Sequence, residues 1–308
     1  MDRIFHYGIL KTEEGISIRE YLQSRGYSRH ILAHVKRTEN GILRNGEAVP
    51  VTVILRAGDC LDIHLKEVPP SEHIPPAPVP FSIVYEDEDL LVVNKPADTP
   101  IHPSFNNHEN TLANGIIQYY DNKGETFVFR CINRLDRDTS GLLIVVKNML
   151  SGSILSSTMK KRTTSLREEG DEIRRTYLAI AEGQVNRSGT ITAPIGRKEG
   201  SVLERCVDFE KGEYAVTHYE PLFYRRDLDL TLVALRLETG RTHQIRVHMG
   251  YLGHPLIGDY LYYPRRDLIR RQALHSWKLE FFHPITKEHL EFRAPLPPDM
   301  RFIISDLN

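Results

Sequence analysis

Cysteine is scarce in this chain: three among 308 residues, at positions 60, 131 and 206. So few cannot build a disulfide scaffold, and they fit a reducing compartment. None belongs to a C-x-x-C pair, which excludes zinc sites built on paired thiolates. Long apolar runs are also missing. Stretches such as Leu142 to Val146 fall far short of the ~20 residues that span a bilayer. Met1 to His6 has no apolar signal-peptide core. There is no G-x-x-x-x-G-K-[ST] loop, G-x-G-x-x-G turn or H-E-x-x-H helix. These absences argue for a cytoplasmic protein, away from membranes, with no cofactor and no metal. A surplus of either charge is lacking too: 40 Lys and Arg against 41 Asp and Glu, a net charge of −1. Taken alone, that balance argues against a nucleic-acid binder.

The composition that remains, 40% hydrophobic and 26% charged, is that of a folded protein. Residues 67–80 carry six prolines, a composition incompatible with a helix or a central strand. This segment is predicted to be an extended linker between a module at 1–66 and a larger domain at 81–308.

In the first module, apolar spacing predicts helices over Ile18 to Gln23 and from an N-cap at Ser28 through Lys36. Asn45-Gly46 signals a hairpin, and Val51 to Leu55 and Cys60 to Leu65 alternate like strands. Its balance is ten basic against eight acidic residues. Arg29, Lys36, Arg37 and Arg44 form a basic stretch that reads either as a solvated face or as a phosphate-contacting edge.

In the larger domain, strands are predicted at 81–85, 90–93, 142–146, 177–181, 216–223, 230–237, 277–282 and 290–293. Helices are predicted at 112–120, 149–160 and 244–251. Strands outnumber helices without alternating with them, which predicts an α+β fold on a mixed, mostly antiparallel sheet. Arg162 to Ile173 reads as a mobile charged loop. Further cations cluster at Lys160 to Arg162 and at Arg265, Arg266, Arg270 and Arg271.

Two polar segments stand out. Asn133 to Gly141 packs two Asp, two Arg, Thr, Ser and Gly directly before a buried-looking strand. Such residues also make ordinary turns. Gly240 to His248 ends a strand and begins a helix, with Thr242 the expected N-cap and Arg246 able to point back at a carboxylate. Three histidines, 243, 248 and 254, lack the spacing of facing metal ligands.

These segments resemble the RluA-type pseudouridine synthases. The likeness rests on VVNKPADTPIHPS at 92–104, RLDRDTSGLLIVVKN at 134–148 and RTYLAIAEG at 175–183. It continues in TGRTHQIRVHMGYLGHPLIGDYLY at 239–262 and LEFRAPLPPDM at 290–300. Residues 1–66 are similar to the RNA-binding αL motif of ribosomal small-subunit protein four.

The resemblance implies an enzyme that isomerises uridine in RNA. The N-glycosidic bond breaks, uracil rotates, and C5 bonds to C1′. Asp136 would be the essential carboxylate, acting at C1′ as nucleophile or at C2′ as base. Arg246 would be its cationic partner and Tyr177 would pack on the base. Arg134 would brace the place of the flipped nucleotide. Arg241 joins the basic first-module residues as an RNA contact. Tyr177 also reads as a core strand residue, and Arg134 as a surface ion-pair partner.

Two positions depart from the family pattern. Asn133 stands where His is usual and cannot titrate near neutrality. Asp98 stands where Gly is common, and Asp tolerates positive φ. Asp138 is expected to brace the turn, and His102 to be structural or to face RNA. The expected partner is RNA, large-subunit ribosomal RNA ahead of transfer RNA, bound by a monomer. Two rivals are a non-catalytic ribosome-assembly factor and a glycosidase with a second carboxylate, for which Asp138 is the weak candidate.

Overall fold

The computed structural model describes residues 2–67, 74–104, 108–161, 172–263 and 267–305, without the side chains of residues 160 and 161. The chain opens with β1 (Arg3–Gly8), α1 (Ile18–Ser24), α2 (Arg29–Arg37), β2 (Ile42–Arg44), β3 (Glu47–Ala48) and β4 (Cys60–Leu65). The four strands form an antiparallel sheet in the order β1-β4-β2-β3. Ser17 caps α1 through a reciprocal bond with Glu20, and Ser28 caps α2 as expected. Asn45 and Gly46 both have positive φ, as a two-residue hairpin turn requires.

One expectation fails in this region, and one strand was missed. The strand β1 was not foreseen, because its inward residue is Phe5 while the apolar Ile4 points outward at 41% exposure. Val51 to Leu55 is not a strand. The carbonyls of Val51 and Val53 instead accept the N–H groups of Arg19 and Ile18, each at 2.9 Å. That apolar run closes the open N-terminus of α1.

The larger part comprises β5 (Ser82–Glu86), β6 (Leu90–Lys95), α3 (Leu112–Asp121), β7 (Ser140–Val146), α4 (Met149–Lys161) and β8 (Arg174–Glu182). It continues with β9 (Gly189–Thr192), β10 (Ile195–Arg197), β11 (Arg205–Val207), β12 (Val216–Arg225) and β13 (Leu230–Leu237). It ends with α5 (Gln244–Tyr251), β14 (Leu274–Phe282), β15 (His289–Arg293) and α6 (Pro298–Ile304). A nine-stranded sheet runs β5-β6-β7-β14-β8-β13-β12-β9, with β15 beside β14. Among the described residues, only β7 and β14 pair in parallel, so the sheet is mixed and mostly antiparallel. The fold is α+β. The short strands β9, β10 and β11 and the last helix were not foreseen.

Strands β6 and β7 are apolar on both faces because both are covered. Leu91, Val93, Leu143 and Val145 pack under α3 with Ile116 and Tyr120. Leu90, Val92, Leu142 and Ile144 meet Leu155 of α4, together with Ile173 and Phe281. Unbroken apolar runs are what such two-sided burial selects. Ile173, expected in a mobile loop, is fully buried here. The preceding residues 162–171 lie outside the described residues, as do Arg265 and Arg266.

The first module is packed on α4 of the larger part. Leu150 of α4 lies in the same core as Tyr21, Leu22 and Tyr27, and Ser153 Oγ donates to the Gly26 carbonyl at 2.9 Å. The described ends of the proline-rich segment, free of helix and strand, are anchored as well. The Glu67 carboxylate accepts from Arg130 at 2.6 Å and from the Met149 N–H at 3.0 Å. The Pro75 carbonyl accepts from Asn114 at 2.7 Å.

Where β7 meets β14, Gly141 has φ of +112°, and a Cβ there would stand 2.2 Å from the Ser276 carbonyl oxygen. This close approach sets the register of the parallel pair directly after the Asp136 turn. Gly141→Ala is expected to destabilise the protein by about 3 kcal/mol or more. Chemical denaturation measures it, and a loss under about 1 kcal/mol, the ordinary cost of a point substitution, would contradict this packing.

Candidate active site

The turn carrying Asp136 is held by its backbone. The Thr139 N–H donates to the Asp136 carbonyl at 3.1 Å and closes it. Lys95, fully buried at the end of β6, donates to the carbonyls of Pro96, Thr99 and Arg137, each at 2.8 Å. Burial pulls its ammonium down to about 7, against the upward pull of the Asp138 and Asp136 carboxylates. From the other side, Arg271 forks onto Asp299 and donates to the Asp138 carbonyl at 3.1 Å. Asp138 thus takes part in bracing the turn through its carbonyl.

Both family departures are accommodated. Asn133 is buried, accepts the Ile144 N–H at 2.9 Å and donates to the Leu142 carbonyl at 3.4 Å. Its amide supplies donor and acceptor to the β7 backbone together. Asp98 adopts φ of 56° and pairs with Arg137 at 2.7 Å.

The second half of the site comes from α5. Thr242 is not its cap. The cap position is His243, left-handed at φ 57° and ψ 19°, with no side-chain capping bond. Gln244 explains the shift: its buried amide binds Thr239, Thr217 and the backbone of Arg241 and Val216, which anchors the helix start without a hydroxyl cap.

One turn in, Arg246 is 3% exposed. Its Nε and Nη2 each donate to Asp259 at 2.7 Å, a two-pronged pairing, while Nη1 donates to Asp136 Oδ2 at 3.1 Å. Burial acts to lower the guanidinium pKa, but the bonds and charge of Asp259, then the charge of Asp136, raise it overall. Asp259 also accepts the N–H groups of Leu261 and Tyr262, at 3.1 and 3.3 Å. The Tyr262 ring covers the guanidinium, 4.9 Å from ring centre to Cζ.

Asp136 is therefore positioned without being neutralised. One cation faces two carboxylates, and the fork is given to the buried one. Among the described residues, no hydrogen bond reaches Asp136 Oδ1, and the side chain keeps 28% exposure. A half-exposed carboxylate with one oxygen tied and one open suits attack on, or proton removal from, a bound substrate. Asp259 was missed from the sequence although it lies within the matched 239–262 segment. Its signal is the preceding Gly258, at φ of +74°, where a Cβ would stand 2.0 Å from the Arg271 carbonyl.

Tyr177 lies in β8 at 4% exposure, in one side-chain cluster with Ile245 and with Leu135, the neighbour of Asp136. Arg134 is exposed. Arg29, Lys36 and Arg37 are exposed on or beside the outer face of α2, whereas Arg44 is tied to buried Asp59 at 2.7 Å. Arg241 pairs with Glu213 and donates to the Tyr214 carbonyl. His102 rests edge-on against Phe129. His248 bonds Thr217 and the Ala193 carbonyl, and His254 bonds the Glu182 carbonyl.

Elsewhere, Asp87, Asp89 and His283 bring ligand-type atoms within 4.8 Å of one another. Their oxygens are occupied by Tyr85, Arg3, Asn148 and backbone N–H groups, which makes the cluster an ion-paired corner. Among the described residues, no helix is long and apolar enough to cross a membrane.

Residues 89–251, just over half of the chain, match the family model described as RNA pseudouridylate synthase. The Bacillus subtilis (strain 168) protein named uncharacterized RNA pseudouridine synthase YjbO is 43% identical over 95% of this chain and 100% of its own length. The Vibrio parahaemolyticus protein named ribosomal large subunit pseudouridine synthase D is 42% identical over 72% of this chain and 69% of its own. The solved structure of human RNA pseudouridylate synthase domain containing 1 superposes with a TM-score of 0.58 at 29% identity, covering 73% of this chain and 88% of that one.

If Asp259 holds the Arg246 fork, Asp259→Asn leaves a buried guanidinium with only its single contact to Asp136. The expected loss is about 3–5 kcal/mol of stability. A thermal midpoint within a degree of the parent would contradict that role.

Proposed function

The chain belongs to the RNA pseudouridine synthase family, an isomerase family acting on uridine in RNA, and from that premise we propose that it modifies large-subunit ribosomal RNA using Asp136 as its essential carboxylate. The observation that carries this reading is the Asp136–Arg246–Asp259 arrangement, with Oδ2 of Asp136 held and Oδ1 open. The reaction needs an anion at the sugar that stays an anion inside a closed base pocket. Arg246, forked onto Asp259 through two donors, brings its remaining donor and its positive charge to that anion. The isomerisation then breaks the N-glycosidic bond, turns the uracil and joins C5 to C1′. Asp136 acts either at C1′ or at C2′.

Tyr177 supplies the face against which the uracil turns. Its place in one cluster with Leu135 and Ile245, residues adjoining Asp136 and Arg246, supports that reading. A base–aromatic contact of this kind is worth ~1–3 kcal/mol. Exposed Arg134, two residues before Asp136, braces the gap left by the extruded nucleotide.

Residues 1–66 are the RNA-holding unit, joined through 67–80 to the catalytic domain at 81–308. Arg29, Lys36 and Arg37 are its exposed phosphate contacts. Arg44 and Arg241 have carboxylate partners inside the protein, so phosphate would have to displace those partners. The preference for large-subunit ribosomal RNA rests on relatives whose names state that target. The protein works as a cytoplasmic monomer.

The test is release of the C5 proton from labelled uridine in ribosomal RNA. Wild type is expected to release it and Asp136→Asn to fall by at least about a thousandfold, the scale of loss for an essential catalytic group. Equal rates would overturn the role of Asp136. A pseudouridine map of total RNA with and without the gene should lose sites in large-subunit ribosomal RNA, whereas loss confined to transfer RNA would move the target there.

A further inference from the structure

His243 faces Asp136 from the start of α5. Its Nε2 stands 3.9 Å from Asp136 Oδ2, the oxygen that Arg246 already holds at 3.1 Å. Its Nδ1 is 2.8 Å from the Tyr262 hydroxyl, which accepts the Arg205 backbone N–H at 2.8 Å. With the Tyr262 hydroxyl donating to Nδ1, an arrangement compatible with its accepting the Arg205 N–H, the imidazole hydrogen lies on Nε2 and faces Asp136.

The backbone is unusual at the same residue. A residue preceding a helix is normally extended and offers a side-chain cap. His243 is left-handed and offers none. Left-handed geometry is uncommon outside Gly, although His adopts it more readily than most residues, and it persists where the surroundings hold it. Here it coincides with an imidazole wedged between Tyr262 and Asp136, its ring edge-on to Tyr262 with centres 5.6 Å apart.

We propose that His243 is a positioning residue that closes onto Asp136 Oδ2 when uridine enters, so that His243 and Arg246 together occupy that oxygen and turn Oδ1 toward the sugar. The proposal rests on the assignment of Asp136 as the essential carboxylate. Hydrogen bonds of this kind are often long in the free enzyme and tighten around substrate. The charged and titratable groups facing His243 are Asp136, Arg246, Asp259, Arg205 and Tyr262. Burial lowers its pKa, and the Arg246 and Arg205 cations add to this while the two carboxylates oppose it. The imidazole is thus neutral at pH 7 and donates through Nε2 without cancelling the Asp136 charge.

The experiment measures single-turnover C5 proton release by the full chain on RNA, with KM determined in parallel. His243→Asn keeps a residue that tolerates the left-handed backbone but is too short to reach Asp136. Its turnover rate is expected to fall by roughly 10- to 100-fold, the scale of a misplaced reacting group, with KM within about twofold. His243→Gln restores an N–H near the position of Nε2 and is expected to recover most of that loss. Tyr262→Phe, which frees Nδ1, is expected to slow turnover by several-fold and serves as the deciding variant if the His243 variants do not fold. A wild-type rate in His243→Asn would overturn the proposal, as would a loss carried by KM that Gln does not relieve. If neither His243 variant folds, a wild-type rate in Tyr262→Phe would overturn it. Asp136→Asn is measured alongside: activity there overturns the Asp136 assignment, whereas its inactivity beside a fully active His243→Asn overturns only the role of His243.

Discussion

Everything at this site depends on how one buried guanidinium divides its hydrogen bonds. Arg246 gives two of its donors to Asp259 and one to Asp136. Removing a lone cation from water at this depth would be costly, and the Asp259 fork offsets that cost. The single remaining contact then orients Asp136 without pairing its charge away. A carboxylate forked by its own arginine would be stable and unreactive. One left with no cation would lose the donor that fixes its orientation.

That division works only if the Asp136 backbone stays still. The turn is fixed by Lys95 at the Arg137 carbonyl and by Arg271 at the Asp138 carbonyl. Lys95 projects from the end of β6, and Arg271 from the segment before β14. Both therefore tie the turn to the sheet on either side of β7. These cations serve geometry, as does Arg44 against Asp59 in the small sheet. The near-zero net charge thus conceals a division of labour, in which some cations, Lys95, Arg246 and Arg271 among them, are internal fasteners while a larger exposed set, including Arg29, Lys36, Arg37 and Arg134, faces solvent.

Much of this was legible in the sequence. The helices at 112–120, 149–160 and 244–251 carry strong local signals, and so do the long apolar strands of a covered sheet. The Asp136 and Arg246 segments stood out as dense polar stretches beside a strand and a helix. What escaped was long-range or dependent on context. Asp259 pairs with Arg246 across a loop, and no periodicity marks it. Thr242 looked like a helix cap because hydroxyls usually are, yet the buried Gln244 amide had already satisfied that helix start. Val51 to Leu55 alternates like a strand, but its carbonyls serve α1. In β1 the exposed Ile4 disguises the alternation.

The central claim is that Arg246 acts through the geometry of its fork and not through charge alone. Arg246→Lys tests it most directly, because lysine keeps the positive charge and cannot bridge Asp259 and Asp136 with fixed planar donors. Single-turnover pseudouridine formation by this variant, compared with wild type at saturating RNA, is the measurement. The account predicts a loss of roughly a hundredfold or more, the scale of a catalytic group shifted by about an ångström. A lysine variant that turns over within a few-fold of wild type would contradict it.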